Sequence, residues 1–282
     1  MIQCIDGKKF RDIFVSGANN LQNHKDLVDK LNVFPVPDGD TGTNMSLTIS
    51  YAIKELSKVE NDDITDIGKA LSKGSLMGAR GNSGVILSQI IRGIAKSIEG
   101  KDKLSSMDIA EALKNGSDTA YKAVIKPVEG TILTVVRESS EYALKVAALE
   151  DDIVEFMTLL VKEANNSLNR TPELLHALKE AGVVDAGGQG LLCILEGAAR
   201  VIIENLQIEI KKPTVAPNEA AFAALKNFNT EDITFGYCTE FIATKNQGSK
   251  YEEESFKAYL ESIGDSIVVV SDEEYVKVHV HT

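Results

Sequence analysis

Cysteine is scarce: the 282-residue chain has three, Cys4, Cys193 and Cys238, far apart and odd in number. That speaks against a disulfide framework and suits a reducing compartment. Prolines number only 6, too few for a collagen-like or low-complexity disordered chain. Basic residues are in deficit, 30 Lys and Arg against 42 Asp and Glu, for a formal net charge of −12. Without a basic face to meet phosphates, a nucleic-acid partner is not expected. No run approaches the ~18 uninterrupted apolar residues of a membrane span. The N-terminus sets Asp6, Lys8, Lys9 and Arg11 around a short Ile-Phe-Val run where a signal peptide would need an apolar core. No transmembrane segment and a cytoplasmic location are therefore expected.

Apolar material is plentiful, 43% hydrophobic against 26% charged, enough for a large core and a second small domain. From about residue 8 to 208 the apolar residues recur at helical spacing. Met45, Ile49, Ala52, Ile53 and Leu56 fall on one face, and Ile86, Leu87, Ile90, Ile91 and Ile94 on another. Further helices are expected over 107–124, 131–148, 152–168, 172–181 and 190–204, the fourth opened by Thr171 as N-cap with Pro172 in its first turn. No strand is expected before residue 208. The fold class is mainly α, an antiparallel helical bundle followed by a small α/β domain.

The domain boundaries follow: a helical domain over 1–208, a linker over 209–229 around Pro213 and Pro217, and an α/β unit over 230–282. Ala221, Ala224 and Leu225 leave room for one short helix inside the linker. The α/β unit is expected to run strand 233–244, helix 253–263, strand 266–270, strand 275–281. In the last strand Val276, Val278 and Val280 alternate with Lys277, His279 and His281. One face is thus apolar and the other carries both histidines. With so few elements, this unit reads as the start of a longer domain.

Three loops at helix starts carry the chemistry. The first, Asn32 to Asn44, places Asp38 and Asp40 around Gly39 after a proline-stiffened approach. Hard carboxylate oxygens at that spacing suit Mg²⁺ or Ca²⁺, and Mg²⁺ held by one or two carboxylates plus phosphate oxygens is the usual nucleotide arrangement. An EF-hand register fails, because it puts Ile49 where a bidentate Glu belongs. An Asp-Gly turn that merely caps the next helix is the other reading. The second, Gly78 to Gly84, is small and rich in free N–H groups at a helix start, an anion site by geometry. It lacks the Gly-Lys-Ser/Thr of a Walker loop and the preceding strand of a nucleophile elbow or dinucleotide fingerprint. An ordinary glycine-rich helix connection is the alternative. The third, Gly182 to Gly190, has four glycines in nine residues, suiting either close approach to a ligand or tight helix crossing. Glu129-Gly130-Thr131 starts one more helix with a small polar end.

Taken in order, these motifs resemble the nucleotide-binding domain of dihydroxyacetone kinases, and more closely that of the catalytic component of fatty acid kinases. The resemblance covers 1–208 and, as the start of a middle domain, about 230–282. It implies a third, DegV-like domain beyond Thr282. It implies a helical barrel that binds ATP or ADP with two Mg²⁺ ions at one end. Carried over by position, Asp38 and Asp40 match the magnesium ligands and catalytic acids, and Thr41, Thr43 and Asn44 the loop beside them. Asn82, Ser83 and Gly84 match the phosphate turn, Gly130 and Thr131 a further nucleotide contact, and Asp185 and Gly187 a late loop near the nucleotide. Where the dihydroxyacetone-kinase pattern has a third acidic ligand, this chain offers Asn32, one residue out of register.

The implied reaction is transfer of the ATP γ-phosphoryl group to a fatty acid carboxylate presented by a DegV-like carrier. A dihydroxyacetone-type kinase and a helical nucleotide-binding module without turnover are the alternatives. A homodimer is a further expectation. Arg80 is a candidate for neutralising transition-state charge, with a surface role as the alternative. If the strand carrying Gly236, Cys238 and Glu240 neighbours the last strand, Cys238, His279 and His281 converge into a Zn²⁺ site, as the resemblance also implies. Glu240 is one candidate for the fourth position.

Overall fold

The computed structural model describes residues 1–208, 237–246, 251–271 and 274–282. The expected linker at 209–229, the short helix within it, and the strand residues before 237, Gly236 included, lie outside the described residues. Among the described residues, nine helices fill the first part: α1 (Gly7–Lys30), α2 (Thr41–Leu56), α3 (Ile64–Gly78), α4 (Gly81–Ser97), α5 (Ser106–Ala123), α6 (Ile132–Ala147), α7 (Ile153–Leu174), α8 (His176–Ala181) and α9 (Ala186–Ile203). Each long helix packs on the next, α7 skips the short α8 to meet α9, and α9 returns to α1. The result is a closed ring of eight helices around one apolar core. Met45, Ile49, Ala52, Ile53 and Leu56 are all buried in it, as their spacing requires. Of the described helices, α9 is the one long and apolar enough to cross a membrane, and most of it is buried in this core.

Helix starts explain much of the ring's definition. Asp6, Asp63, Thr131, Asp152 and Asp185 each accept a first-turn N–H at the heads of α1, α3, α6, α7 and α9. Ser105 and Asp108 form a reciprocal capping box at α5. Two ring helices, α2 and α4, have no side-chain bond from their own N-cap residues, Asp40 and Arg80.

Three expected boundaries are corrected, the end at 168 and the starts at 172 and 190. Thr171 and Pro172 do not open a helix; they lie in the last turn of α7, which runs on to Leu174. Pro172 has no N–H for the carbonyl of Leu168, four residues back, and the Thr171 hydroxyl donates to that carbonyl instead, at 2.7 Å. The new helix starts after Leu175 and ends at Gly182, whose φ of +67° is left-handed. The last ring helix begins at Ala186, four residues before the expected 190.

The second part contains β1 (Cys238–Thr244), α10 (Glu253–Ile263), β2 (Asp265–Ser271) and β3 (Tyr275–His281). They form an antiparallel sheet in the order β1-β3-β2. Val276, Val278 and Val280 pack with Leu260 of α10 and with Ile267 and Val269 of β2. The opposite face is not solvated: Val268 and Val270 pack with Ala79, Val85 and Ala123 of the ring. Lys277 and His279 are therefore only 2% and 1% exposed. A bridge between Val124 and Val268 adds to the contact.

Candidate functional site

The N-terminal ends of α2, α4, α6 and α9 and the sheet enclose a cavity of about 330 Å³. Asn32, Asp38, Asp40, Thr41 and Asn44 line one side, Asn82 and Ser83 another, and Thr131, Asp185 and Gly187 a third. Cys238, His279 and His281 reach the same cavity from the sheet. Thr43, Gly84 and Gly130, also expected at the site, are not at its wall.

Those three have other work. Thr43 turns away, donating its N–H and hydroxyl to Asp29 at 2.9 and 2.8 Å. A Cβ on Gly84 would collide with Thr48 Oγ1 and lie 3.3 Å from the carbonyl of Asn44, so this glycine lets α4 cross α2 closely. Gly130 has φ +81°, and a Cβ there would sit 2.8 Å from that of Leu175. Arg80 is exposed and donates to the carbonyl of Ala79 at 2.9 Å.

The acidic loop is held from the side. Asn32, buried, donates from Nδ2 to Asp38 Oδ1 at 2.9 Å and to the carbonyl of Val36 at 2.7 Å, while its Oδ1 accepts from Thr41. Its amide thus orients Asp38. Asp29, near the end of α1, caps α2 at Thr43, the duty that Asp40 would otherwise hold at this N-cap. The Asp40 carboxylate is left beside that of Asp38. Burial, reinforced by the negative charge of Asp40, pushes the Asp38 carboxyl up to about 7, as two crowded carboxylates resist double ionisation.

At the start of α4, helix geometry leaves the first amides without intrahelical acceptors. That of Gly81 goes to Glu240 Oε1 at 2.6 Å, and Gly84 donates to the carbonyl of Arg80 at 3.0 Å. Between them stand Asn82 and Ser83 at the cavity wall. Asn82 Oδ1 is buried without a hydrogen-bond partner, a group that a ligand or ion would satisfy.

The late glycine loop divides its roles. Gly182 ends α8, while a Cβ on Gly188 or Gly190 would strike Val135 or the Met45 thioether at 2.9 and 2.6 Å. Gly187 alone of them lines the cavity. Asp185 caps α9 through Gly188 N–H at 2.6 Å, and its own N–H goes to the Thr171 hydroxyl at 3.0 Å. Burial pushes its carboxyl up to about 6, against the hydrogen bonds from Gly188 and Ile132.

On the sheet, β1 pairs with β3 so that Cys238 faces His281 and Glu240 faces His279. Ligand atoms of Cys238, His279 and His281 lie within 4.8 Å of one another. The Cys238 sulfur is 3.7 Å from His279 Nδ1, which lies 3.0 Å from Glu240 Oε1. His279 Nε2 is buried without a partner. Lost hydration, with Glu240, Asp40 and Asp38 nearby, pushes the Cys238 thiol up to about 11. Burial, with His279 alongside, holds the His281 imidazole below its ordinary range.

Sequence reasoning missed Asp29, which lies outside the acidic motif, and the apolar part of the cavity wall, where Phe34, Val36, Val128 and Ile267 stand. No spacing rule joins those four, because Phe34 and Val36 come from the loop before α2, Val128 from the loop before α6 and Ile267 from β2.

The chain is similar to known proteins. The family described as DAK2 domain matches residues 35–200, and the FakA-like middle domain of fatty acid kinases matches 234–282. Uncharacterized proteins of Staphylococcus aureus strains USA300 and NCTC 8325 are 48% identical over 287 residues, covering 100% of this chain and 52% of theirs. The chain thus spans about half the length of these curated relatives. Among solved structures, the dihydroxyacetone kinase from C. freundii in complex with AMP-PNP and Mg²⁺ aligns with TM-score 0.53 at 17% identity, over 67% of this chain and 33% of that one. Its native form aligns with TM-score 0.52 at 16% identity, over 67% and 34%. At such identity the likeness is one of fold.

Proposed function

Because the chain belongs to the DAK2 domain family and continues into a FakA-like middle domain, we propose that it is the ATP-dependent phosphotransferase of a fatty acid kinase. The γ-phosphoryl group of ATP would pass to the carboxylate of a fatty acid presented by a DegV-like carrier, giving acyl phosphate and ADP. One observation carries most of the reading: a carboxylate pair freed from capping and the start of α4, whose own N-cap residue Arg80 makes no side-chain bond to it, line the same cavity.

Asp38 and Asp40 would hold Mg²⁺, with Asn32 orienting Asp38. The crowded, partly desolvated pair fits a divalent cation, whose charge would relieve the repulsion. Bound magnesium supplies charge neutralisation and alignment of the phosphate oxygens. The α4 start receives phosphate through the amides of Asn82 and Ser83, aided by the helix dipole. Thr131, Asp185 and Gly187 form the wall against which the nucleotide sits. The attacking group needs no general base, since a fatty acid carboxylate is already ionised at neutral pH.

Cys238, His279 and His281 would hold Zn²⁺, a thiolate and two imidazoles being an apt donor set. The orphaned His279 Nε2 and the nearby Glu240 carboxylate support that assignment. The fourth position would fall to water, Glu240 or a residue beyond Thr282.

The test is phosphate transfer from ATP measured with carrier-bound fatty acid, with a small ketone and with neither. Transfer should require the lipid carrier. Asp38→Ala or Asp40→Ala should lower it at least about a hundredfold, with helical circular dichroism retained because both acids sit on a loop. Full transfer by either variant, or dependence on the ketone alone, would overturn the reading.

A further inference from the structure

The turn between α3 and α4, Ala79-Arg80-Gly81, is gripped at both ends by charged groups, one buried and one half-buried, from a part of the chain some 160 to 200 residues away. On one side Lys277 Nζ donates to the carbonyls of Leu76 and Ala79, at 3.2 and 2.6 Å. Helix α3 has no basic residue in its own last turn, so Lys277 supplies the cation that a helix C-terminus favours. On the other side Glu240 Oε1 accepts the N–H of Gly81 at 2.6 Å and also lies 3.0 Å from His279 Nδ1. Gly81 has φ +58°, and a Cβ there would sit 2.5 Å from Asn44 Nδ2, so the turn is confined sterically as well.

We propose that Lys277 and Glu240 are positioning residues, which clamp this turn from the sheet and so fix the direction in which α4 presents the N–H groups of Asn82 and Ser83. The consequence for nucleotide rests on the reading that those amides receive phosphate; the clamp itself does not.

Several observations select this role over simple packing. Both side chains end on backbone groups of one three-residue turn and its flank, and the two carry opposite charges matched to the opposite ends they meet. Burying an ammonium is costly unless partners compensate, and the carbonyls of Leu76 and Ala79 are such partners for Lys277. A methionine or leucine would fill the same space in the Val268, Val270 and Val85 cluster without that cost. Arg92, donating to the carbonyl of Ser271 at 2.9 Å, ties the middle of α4 to β2 in the same sense. The sheet therefore holds α4 at its head and along its length.

The experiment is hydrogen–deuterium exchange on the whole chain with Lys277→Met, Glu240→Ala, Glu240→Gln and Glu240→Met, alongside Mg·ATP binding. Lys277→Met and Glu240→Ala should raise exchange across residues 79–84 by about tenfold or more while α1 and α9 keep wild-type protection. They should also weaken Mg·ATP binding by about tenfold. Glu240→Gln keeps an acceptor for Gly81 and should fall between Glu240→Ala and wild type, whereas Glu240→Met, of similar size but without that acceptor, should match Glu240→Ala; a packing role would instead leave Glu240→Met beside Glu240→Gln. Should Lys277→Met fail to fold, the Glu240 series decides. Wild-type exchange at 79–84 in the variants overturns the clamp. Absence of nucleotide binding in the wild type overturns the phosphotransferase reading and leaves the exchange result to judge the clamp alone.

Discussion

At Asp40 the usual job of an N-cap residue has been moved elsewhere. A cap normally spends its carboxylate on the first-turn amides, which would leave little for a metal. Asp29 takes over by binding Thr43 through both its N–H and its hydroxyl. Asp29→Ala should cost about 1 kcal/mol of stability, the usual value of a lost cap. It should also weaken Mg²⁺ binding, because Asp40 becomes free to turn onto its own helix. Chemical denaturation with a parallel Mg²⁺ titration checks both, and unchanged Mg²⁺ affinity would leave Asp29 with a structural role only. The Asp38–Asp40 pair makes a second prediction. With one carboxyl raised to about 7, the metal-free pair retains a proton below that pH, and Mg²⁺ must displace it. Apparent affinity should then fall as pH drops from 8 to 6, by up to about tenfold per unit below 7. Calorimetry in buffers of different ionisation enthalpy should show about one proton released near pH 6 and little at pH 8. That Asp38 and Asp40 stand together was legible in the sequence because carboxylates close in the chain leave a pattern. Asp29 was not, since it acts across 14 residues and from another helix.

Among elements, the ring helices were readable from apolar periodicity, and errors gathered where local rules conflict with tertiary demand. Thr-Pro-Glu is a fair helix-start signal, yet here Thr171 fills the carbonyl that Pro172 leaves open and also receives the N–H of Asp185. The same hydroxyl thus ends one helix and anchors the head of another at the cavity. Glycine was the least decipherable signal, since the sequence cannot say whether a missing Cβ makes room for a ligand or a helix. Gly84 sits in an anion-like motif but is occupied by the crossing of α2 and α4. Gly84→Ala should therefore lower unfolding free energy by about 1–3 kcal/mol, the range for overpacking, with Gly84→Val worse. Loss of nucleotide affinity should follow from that displacement of α4. Denaturation curves decide the matter: wild-type stability in Gly84→Ala would show that the crossing has slack.

For the whole molecule, the sequence separated a helical part from an α/β part and carried no sign that they share a site. The histidine-bearing face of β3 looks like a solvated face by alternation alone, and only the packing against Ala79, Val85 and Ala123 reveals it as an interface. The strand pairing that brings Cys238 to His281 was open to inference once β1 and β3 were taken as neighbours. Their arrival at the cavity that holds Asp38 and Asp40 was not. This arrangement sets the final prediction. Protein purified without a histidine tag or chelator should contain about one zinc per chain by elemental analysis. Cys238→Ser should lose most of it. The loss should also destabilise the sheet, because a metal bound only in the folded state stabilises in proportion to its affinity. Cys238 is exposed and lies at the start of an edge strand, so serine there should by itself disturb packing little. A drop in melting temperature that zinc removal reproduces in the wild type, and that Cys238→Ser makes insensitive to chelator, would tie the effect to the metal. Wild-type protein free of zinc, with a melting temperature that added zinc does not move, would refute the site.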